Sequence, residues 1–467
     1  MGPTVRSIMT DLFGFRLRKK LVFNEIYQRE SLYRSALALY TKSLFSRRKA
    51  QTVSWDGRTL YDFACRGSEK LDQLHKDLVN EKFAFSPAKP LKIVRHEKER
   101  TVYIWPWRER VVDLMLYQQL NQRLDRCFSH CVYAFRWHGY GVDQCQNKAE
   151  RFIRSHADDT VYFVKRDVSN CFPSIPHGLL AQVIAEITDP DDYLGKLLLD
   201  HIGFSYFQED GRIVTAESGV PFGAPTACLL ANLALTPFDD ALADLPGSCY
   251  SRYADDMLLM TPDKETAQLA AERFDAVFSR LGIVSKESAA VNGILADARQ
   301  GEPVPAGPES GSFTLLPGLK HLGLYFKAGG TVSLAVDKQR KICALFRKAF
   351  ASRRRYLKFM GNAEKRTAML CRAAKSMLEK TQSQVAIVDY YLKHVNDVRQ
   401  LELLDRWLAE EVLATALNTG HRKGNFAKIS FKKLREMGLP SLVHRRSLLL
   451  HGHIDSSFLR WKSTLQG

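Results

Sequence analysis

Two adjacent carboxylates, Asp255 and Asp256, stand inside Ser251-Arg-Tyr-Ala-Asp-Asp-Met-Leu-Leu-Met260, between a polar-aromatic run and an apolar one. The pattern predicts a β-hairpin with the acids at its tip. Like charges side by side repel, so a fold keeps them together when a cation stands between them, and hard divalent ions such as Mg²⁺ take oxygen ligands. A solvated turn is the other reading of an Asp-Asp pair, and the chain has further pairs at Asp158-Asp159, Asp191-Asp192 and Asp239-Asp240. A third carboxylate sets the first pair apart. Val161-Tyr-Phe-Val164 is a short β-branched and aromatic run that leads through Lys165-Arg166 into Asp167, which puts that acid at the end of a buried strand. Three carboxylates on two adjacent strands can hold two metal ions, which would activate a 3′-hydroxyl and stabilise a leaving pyrophosphate in an in-line phosphoryl transfer.

These residues carry a family resemblance. Asp167-Val-Ser-Asn-Cys-Phe172, Gly219-Val-Pro-Phe-Gly-Ala-Pro-Thr-Ala-Cys-Leu-Leu-Ala-Asn232 and Tyr253-Ala-Asp-Asp256 resemble, in order and spacing, the three palm motifs of reverse transcriptases. Arg100-Thr-Val-Tyr-Ile104, Arg108-Glu-Arg-Val-Val112 and Tyr133-Ala-Phe-Arg136 are similar to fingers motifs of bacterial group II intron-type reverse transcriptases. The resemblance spans about residues 90–330. It implies an α+β right-hand polymerase fold, fingers and palm, followed by a helical basic thumb-like domain. It also implies RNA-templated addition of dNTPs with two Mg²⁺ ions, Mn²⁺ being the alternative, held by Asp167, Asp255, Asp256 and the Val168 carbonyl.

The same resemblance assigns a nucleotide pocket. At Phe172 the family carries a bulky side chain that blocks a ribose 2′-hydroxyl, and a phenyl ring cannot accept a hydrogen bond from that hydroxyl, so dNTP is the expected substrate. Before Gly223 the family has glutamine, whereas this chain has Phe222, which can only stack or fill space; template preference, or the need for a template, is put in question. Lys286 falls where the family keeps a lysine near the triphosphate, and it could protonate pyrophosphate or stand in a solvated loop. Lys98 and Arg100 lie two apart in a strand pattern and so share a face, either reaching one triphosphate or forming a surface charge ladder.

Composition narrows the class. The hydrophobic fraction of 45% is that of a folding chain, no run of eighteen apolar residues exists, and the start lacks a signal-peptide apolar region; a cytoplasmic protein without a membrane span is expected. Nine cysteines without a Cys-x-x-Cys pair agree with a reducing compartment. Cys127, His130 and Cys131 are spaced to share a helical turn, but with no second such cluster core packing is preferred to zinc. The net charge of +17 is uneven: +17 from Lys338 onward, +8 over residues 1–50 and −8 between. Acids for metal at the centre and cations for phosphates at the ends suit a polymerase, although part of such charge is ordinary solvated helix surface.

Four segments are expected. Residues 1–50 form a basic N-terminal helical extension, with Leu32, Ala36, Leu37 and Tyr40 as one apolar stripe. Residues 51–160 are fingers, with a long helix from Val111 to Phe128 and then Phe135-Arg136-Trp137-His138, where Arg136 and the aromatics either meet template bases or pack a corner. Residues 161–330 are palm, with 204–225 returning toward the fingers as a hairpin, a Gly, Pro and Ser-rich linker at 297–318, and His321 to Phe326 resembling the primer-grip strand. Residues 331–467 are a helical basic thumb and RNA-binding domain. There Ile342, Leu345, Phe346, Ala349 and Phe350 form an apolar stripe that leaves Arg347, Lys348, Arg353, Arg354 and Arg355 to nucleic acid. A long second helix runs from Val388 to Leu408.

The expected activity is synthesis of cDNA by an RNA-directed DNA polymerase. The chain shows no Walker lysine motif or zinc-ribbon endonuclease pattern and looks most like the stand-alone, defence-associated (unknown-group) reverse transcriptases. That resemblance implies a role in bacterial antiphage defence, and the +17 carried from Lys338 onward suggests a dedicated structured noncoding RNA as template. Phe222 keeps open a template-independent terminal deoxynucleotidyl transferase, and the fold alone keeps open a non-enzymatic RNA-binding maturase. Partners are the RNA, the cDNA product and dNTPs, and a homo-oligomer is compatible with the sequence.

Overall fold

The computed structural model describes residues 17, 19–44, 53, 55–95, 98–136, 139–295, 313–379 and 386–452. The chain divides into two compact units that alternate along it: Met1–Cys145, Tyr162–Asn292 and Pro308–Phe313 form the first, Gln146–Val161, Gly293–Gly307 and Thr314–Gly467 the second. Helix and sheet are mixed, as the α+β expectation requires.

In the first unit, a two-stranded hairpin is made by β1 (Lys89–Arg95) and β2 (Lys98–Ile104), antiparallel with Lys89 opposite Ile104. Next come β3 (Val161–Arg166), the small hairpin β4 (Ser205–Phe207) and β5 (Ile213–Thr215), then β6 (Cys249–Tyr253), β7 (Asp256–Thr261) and the start of β8 (Val291–Leu295). The central sheet runs β6, β7, β3, β8, with β7 antiparallel to both its neighbours. Met257 to Met260 are all fully buried, which is why β7 reads as an unbroken apolar run instead of an alternating one. Helix Lys264–Leu281 packs on β7, burying Ala267, Ala270, Ala271, Phe274, Val277, Phe278 and Leu281 at helical spacing. Its ends are fixed locally: the Asp263 carboxylate accepts the Thr266 N–H at 2.7 Å, and Gly282 takes the left-handed conformation that stops the helix.

The expected N-terminal helix forms over Arg29–Leu44, but its buried face differs from the predicted stripe. Leu32 is buried while Leu37 is 65% exposed, and Ser31 and Ser35 lie inward instead. Both serines face helix Trp107–Leu124: Ser35 donates to Gln118 at 2.8 Å and Gln119 donates to Ser31 at 2.9 Å. Small hydroxyls satisfied by a neighbouring helix can be buried without apolar character, so a hydrophobic stripe misses them.

In the second unit, β9 (Thr314–Leu316) runs parallel to Gly293–Leu295 of β8. Most of the predicted linker, residues 296–312, lies outside the described residues, and its end is strand. A three-stranded antiparallel meander follows: β10 (Leu319–His321), β11 (Leu324–Lys327) and β12 (Thr331–Leu334). His321 to Phe326 is therefore two strands, folded at Leu322 and Gly323, both at positive φ. Helix Val336–Ala351 buries Ile342, Phe346 and Phe350 as the stripe predicts. The predicted long second helix is two, Ala386–Leu392 and Val398–Leu417. Asn396 and Asp397 cause the break: both main-chain N–H groups bond to the Val332 carbonyl, and the Asp397 carboxylate caps the next helix at Gln400.

Candidate active site

The predicted hairpin is present. β6 and β7 close on the pair Tyr253 and Asp256, leaving Ala254 and Asp255 as the turn. Ala254 has φ 57, a left-handed conformation that is costly for a residue with a Cβ. Arg252, with a fully buried side chain, holds it there. Its Nη1 donates to the Ala254 carbonyl at 3.3 Å and to Asn232 Oδ1 at 2.7 Å, and its other donors reach both oxygens of Asp239 at 2.8 and 2.5 Å and the Asn232 carbonyl at 3.2 Å. Tyr250 donates to Asp239 at 3.1 Å, and Asn232 donates to the Ala134 carbonyl at 2.9 Å. Burial works against the charge of Arg252, but Asp239 more than reverses this, so the guanidinium stays charged. Sequence reasoning grouped Asp239 with solvated Asp-Asp pairs. The structure corrects this, since Asp239 is buried; the one legible signal was Asn232, a polar residue in an apolar helix, Pro225–Ala234.

Asp167 follows β3, whose last pair with β7 is Arg166 and Met257, so it arrives beside the hairpin tip. The Asp255 carboxyl is pushed up to about 6, first by burial, then by the Asp167 charge and a hydrogen bond shared with Asp167, with Asp256 contributing least. Asp256 is engaged elsewhere: Lys165 Nζ stands 3.2 Å from its Oδ1. Among the described residues no three His, Cys, Asp or Glu side chains are grouped to hold a metal, so the acids that come together are the pair Asp167 and Asp255. Such a pair fits a hard divalent ion, since Mg²⁺ is bound through one or two carboxylates completed by substrate phosphates. The chain beside Asp167 is laced to residues 284–286. Ser169 N–H donates to Val284 O at 2.8 Å and Lys286 N–H to Asp167 O at 2.8 Å, with buried Val168 opposite Ser285. This brings Lys286 Nζ to 3.4 Å from Asp167 Oδ2.

Phe172 lies in the short helix Cys171–Ser174. Its ring meets Phe222 edge to face, centroids 5.1 Å apart, and the Arg100 guanidinium lies 5.8 Å from the Phe222 centroid. Phe222 is also tied to β2 through its carbonyl, which accepts the Tyr103 N–H at 2.9 Å. Gly223, at φ 115, has no room for a side chain: a Cβ would stand 2.5 Å from Val102 Cγ1. Phe172, Phe222, Gly223 and Arg100 are thus brought together. Lys98 lies on β2 opposite Arg95, with its side chain outside the described part.

Arg136 is a correction. Its side chain is 4% exposed, pairs with both Asp125 oxygens at 2.9 and 3.0 Å, donates to the Ser129 carbonyl at 2.8 Å and lies 3.7 Å from the Tyr140 ring centroid. With its donors spent internally, it packs the corner and is not presented to nucleic acid. Trp137 and His138 lie outside the described residues. In the second unit Arg347 pairs with Glu411 at 3.2 Å and lies over Trp407, whereas Lys348, Arg353, Arg354 and Arg355 are exposed.

Residues 89–288 match the family described as reverse transcriptase (RNA-dependent DNA polymerase). This stretch, which contains both carboxylates and the aromatic pair, is a reverse transcriptase domain. The chain is 28% identical over 185 residues to the retron Ec73 reverse transcriptase of Escherichia coli, covering 37% of this chain and 53% of that protein. It is 24% identical over 176 residues to the COX1/OXI3 intron 2 protein of Saccharomyces cerevisiae, covering 37% of this chain and 20% of that one. The chain thus spans about half or less of the length of these relatives. Among solved structures, telomerase from Candida albicans with a TWJ fragment of telomeric RNA aligns at TM-score 0.44 and 11% identity, over 81% of this chain and 70% of that one. Among the described residues no helix is long and apolar enough to cross a membrane.

Proposed function

We propose that this chain is an RNA-directed DNA polymerase that adds dNTPs to a 3′-hydroxyl and makes cDNA. The observation that carries the reading is the convergence of Asp167, at the end of β3, with Asp255, at the tip of the adjoining hairpin, where burial and the Asp167 charge push the Asp255 carboxyl up to about 6. Mg²⁺ at this pair would supply the Lewis acid for the attacking hydroxyl and the leaving pyrophosphate. Asp256, adjacent to Asp255 in the chain although paired with Lys165, and the Val168 carbonyl would be further oxygen ligands. Lys286, whose Nζ lies 3.4 Å from Asp167 Oδ2, would protonate pyrophosphate, Arg100 and Lys98 would hold the triphosphate, and the bulk of Phe172 would exclude a 2′-hydroxyl. Residues 51–160 serve as fingers, 161–330 as palm and 331–467 as thumb, with 1–50 a basic extension.

The finer reading is a dedicated structured noncoding RNA, copied in the cytoplasm in bacterial antiphage defence. The charge of +17 from Lys338 onward and the likeness to a retron reverse transcriptase support it. Phe222 favours a second reading, terminal transfer, because it brings a ring packed on Phe172 where an amide could meet a template. Supplying one dNTP at a time with and without RNA separates the two: incorporation that follows the RNA sequence rejects terminal transfer.

Asp255→Ala and Asp167→Ala should each lower dNTP incorporation by roughly 10³-fold or more, because each removes a metal ligand at the reacting phosphate. RNA affinity should stay near that of the unaltered chain. Incorporation near the unaltered rate in either variant would reject the site.

A further inference from the structure

Residues 353–359 read Arg-Arg-Arg-Tyr-Leu-Lys-Phe, with four cations and no acid. Leu357, 8% exposed, turns inward and anchors the short helix Arg354–Lys358. Around it everything faces solvent: Tyr356 is 60% and Phe359 89% exposed. Phe359 N–H bonds to the Tyr356 carbonyl at 3.2 Å, so helical spacing holds to the end of the segment and the two rings, three residues apart, share one face. Among the described residues neither ring meets another ring or a cation, and the side chains of Arg353, Arg354, Arg355 and Lys358 have no carboxylate partner. Arg347, one helix earlier, is the contrast, being paired with Glu411 and laid over Trp407.

We infer that Tyr356 and Phe359 form a stacking platform for unpaired bases of the RNA, with the surrounding cations holding the phosphates on either side. Two exposed rings on one face, set among cations only, match a polymer that alternates π-faces with negative charge. A duplex buries its base faces in the stack, so the occupant is a single-stranded stretch. A protein partner would need an apolar or acidic patch to match a surface that is mostly positive. The inference rests on the reading of the chain as an RNA-binding polymerase and adds to it the aromatic contact, which charge counting does not reveal.

The test uses the full chain with a fluorescein-labelled oligo(U) single strand and a blunt RNA duplex of equal length, each titrated at several salt concentrations. Tyr356→Ala and Phe359→Ala should each weaken oligo(U) binding roughly 5- to 10-fold, the lower part of the stacking range, because both rings are partly solvated. Neither should change duplex affinity, and neither should change the slope of log affinity against log salt. Arg353, Arg354 and Arg355 changed together to alanine should make that slope shallower by roughly 2 on single strands. Phe359→Trp should keep or raise oligo(U) affinity, which separates a lost ring from a disturbed fold. Unchanged oligo(U) affinity in the Tyr356→Ala, Phe359→Ala double variant overturns the platform, as does an equal loss on duplex. If the unaltered chain binds neither RNA at low salt, the proposed function falls and takes the platform with it.

Discussion

Arg252 in the first unit and Arg354 in the second carry the same guanidinium and face opposite worlds. Arg252 is fully buried, with donors spent on Asp239, Asn232 and Ala254; Arg354 is exposed, and its side chain has no partner among the described residues. A cation sealed against a carboxylate becomes part of the frame, while one left in water stays available to a polyanion. The difference is one of burial and not of unit. Arg445, in the second unit, is 14% exposed and paired with Asp389 through two bonds, and it belongs with Arg252. Net charge counts all these residues alike, so +17 from Lys338 onward overstates the surface that can hold phosphate.

Stability measurements distinguish the buried cation from the exposed one. Arg252→Met leaves the Asp239 carboxylate buried without its cation and should cost about 3–5 kcal/mol in urea unfolding. Because the same change frees the Ala254 turn, dNTP incorporation should fall as well under conditions where the variant is still folded; Arg252→Lys should recover part of both. A loss below about 1 kcal/mol would show that the buried network does not hold the hairpin.

The half-buried aromatic pair lies between the extremes. Phe172→Ala should raise incorporation of rNTP relative to dNTP. Phe222→Ala should act in the same direction but less, since it removes a ring packed on Phe172 and not the ring proposed to exclude the 2′-hydroxyl. A double-mutant cycle on that ratio should give a coupling of about 0.5–1.5 kcal/mol, the range for an edge-to-face pair. Additive effects would mean that the two rings act separately.

At the small end, changing Arg353, Arg354 and Arg355 to alanine should shift unfolding by less than about 0.5 kcal/mol per site, since they are exposed and have no carboxylate partner among the described residues. A loss like that of Arg252→Met would erase the distinction between frame and surface.

What was legible in the sequence was local. The hairpin at Tyr253 to Asp256, the strand ending at Asp167, the β4–β5 hairpin and the stripe of helix Val336–Ala351 each repeat over a few residues, where period and turn chemistry decide the outcome. Where reading failed, a distant partner had overruled the local pattern. Val332 broke the predicted long helix at Asn396 and Asp397, Gln118 and Gln119 drew Ser31 and Ser35 inward, and Asp125 took Arg136.

By itself the sequence determined that three acids would stand at or beside the ends of short apolar strands, hence a set of oxygen ligands suited to a hard cation, because a short run of β-branched, aromatic and apolar residues marks a strand without tertiary information. Only the tertiary structure decided which acids meet. Asp167 reaches Asp255, 88 positions on, while Asp256 is drawn to Lys165, and Asp239 is sealed against Arg252. All four are aspartates, and what distinguishes them is the burial and the partners that packing brings.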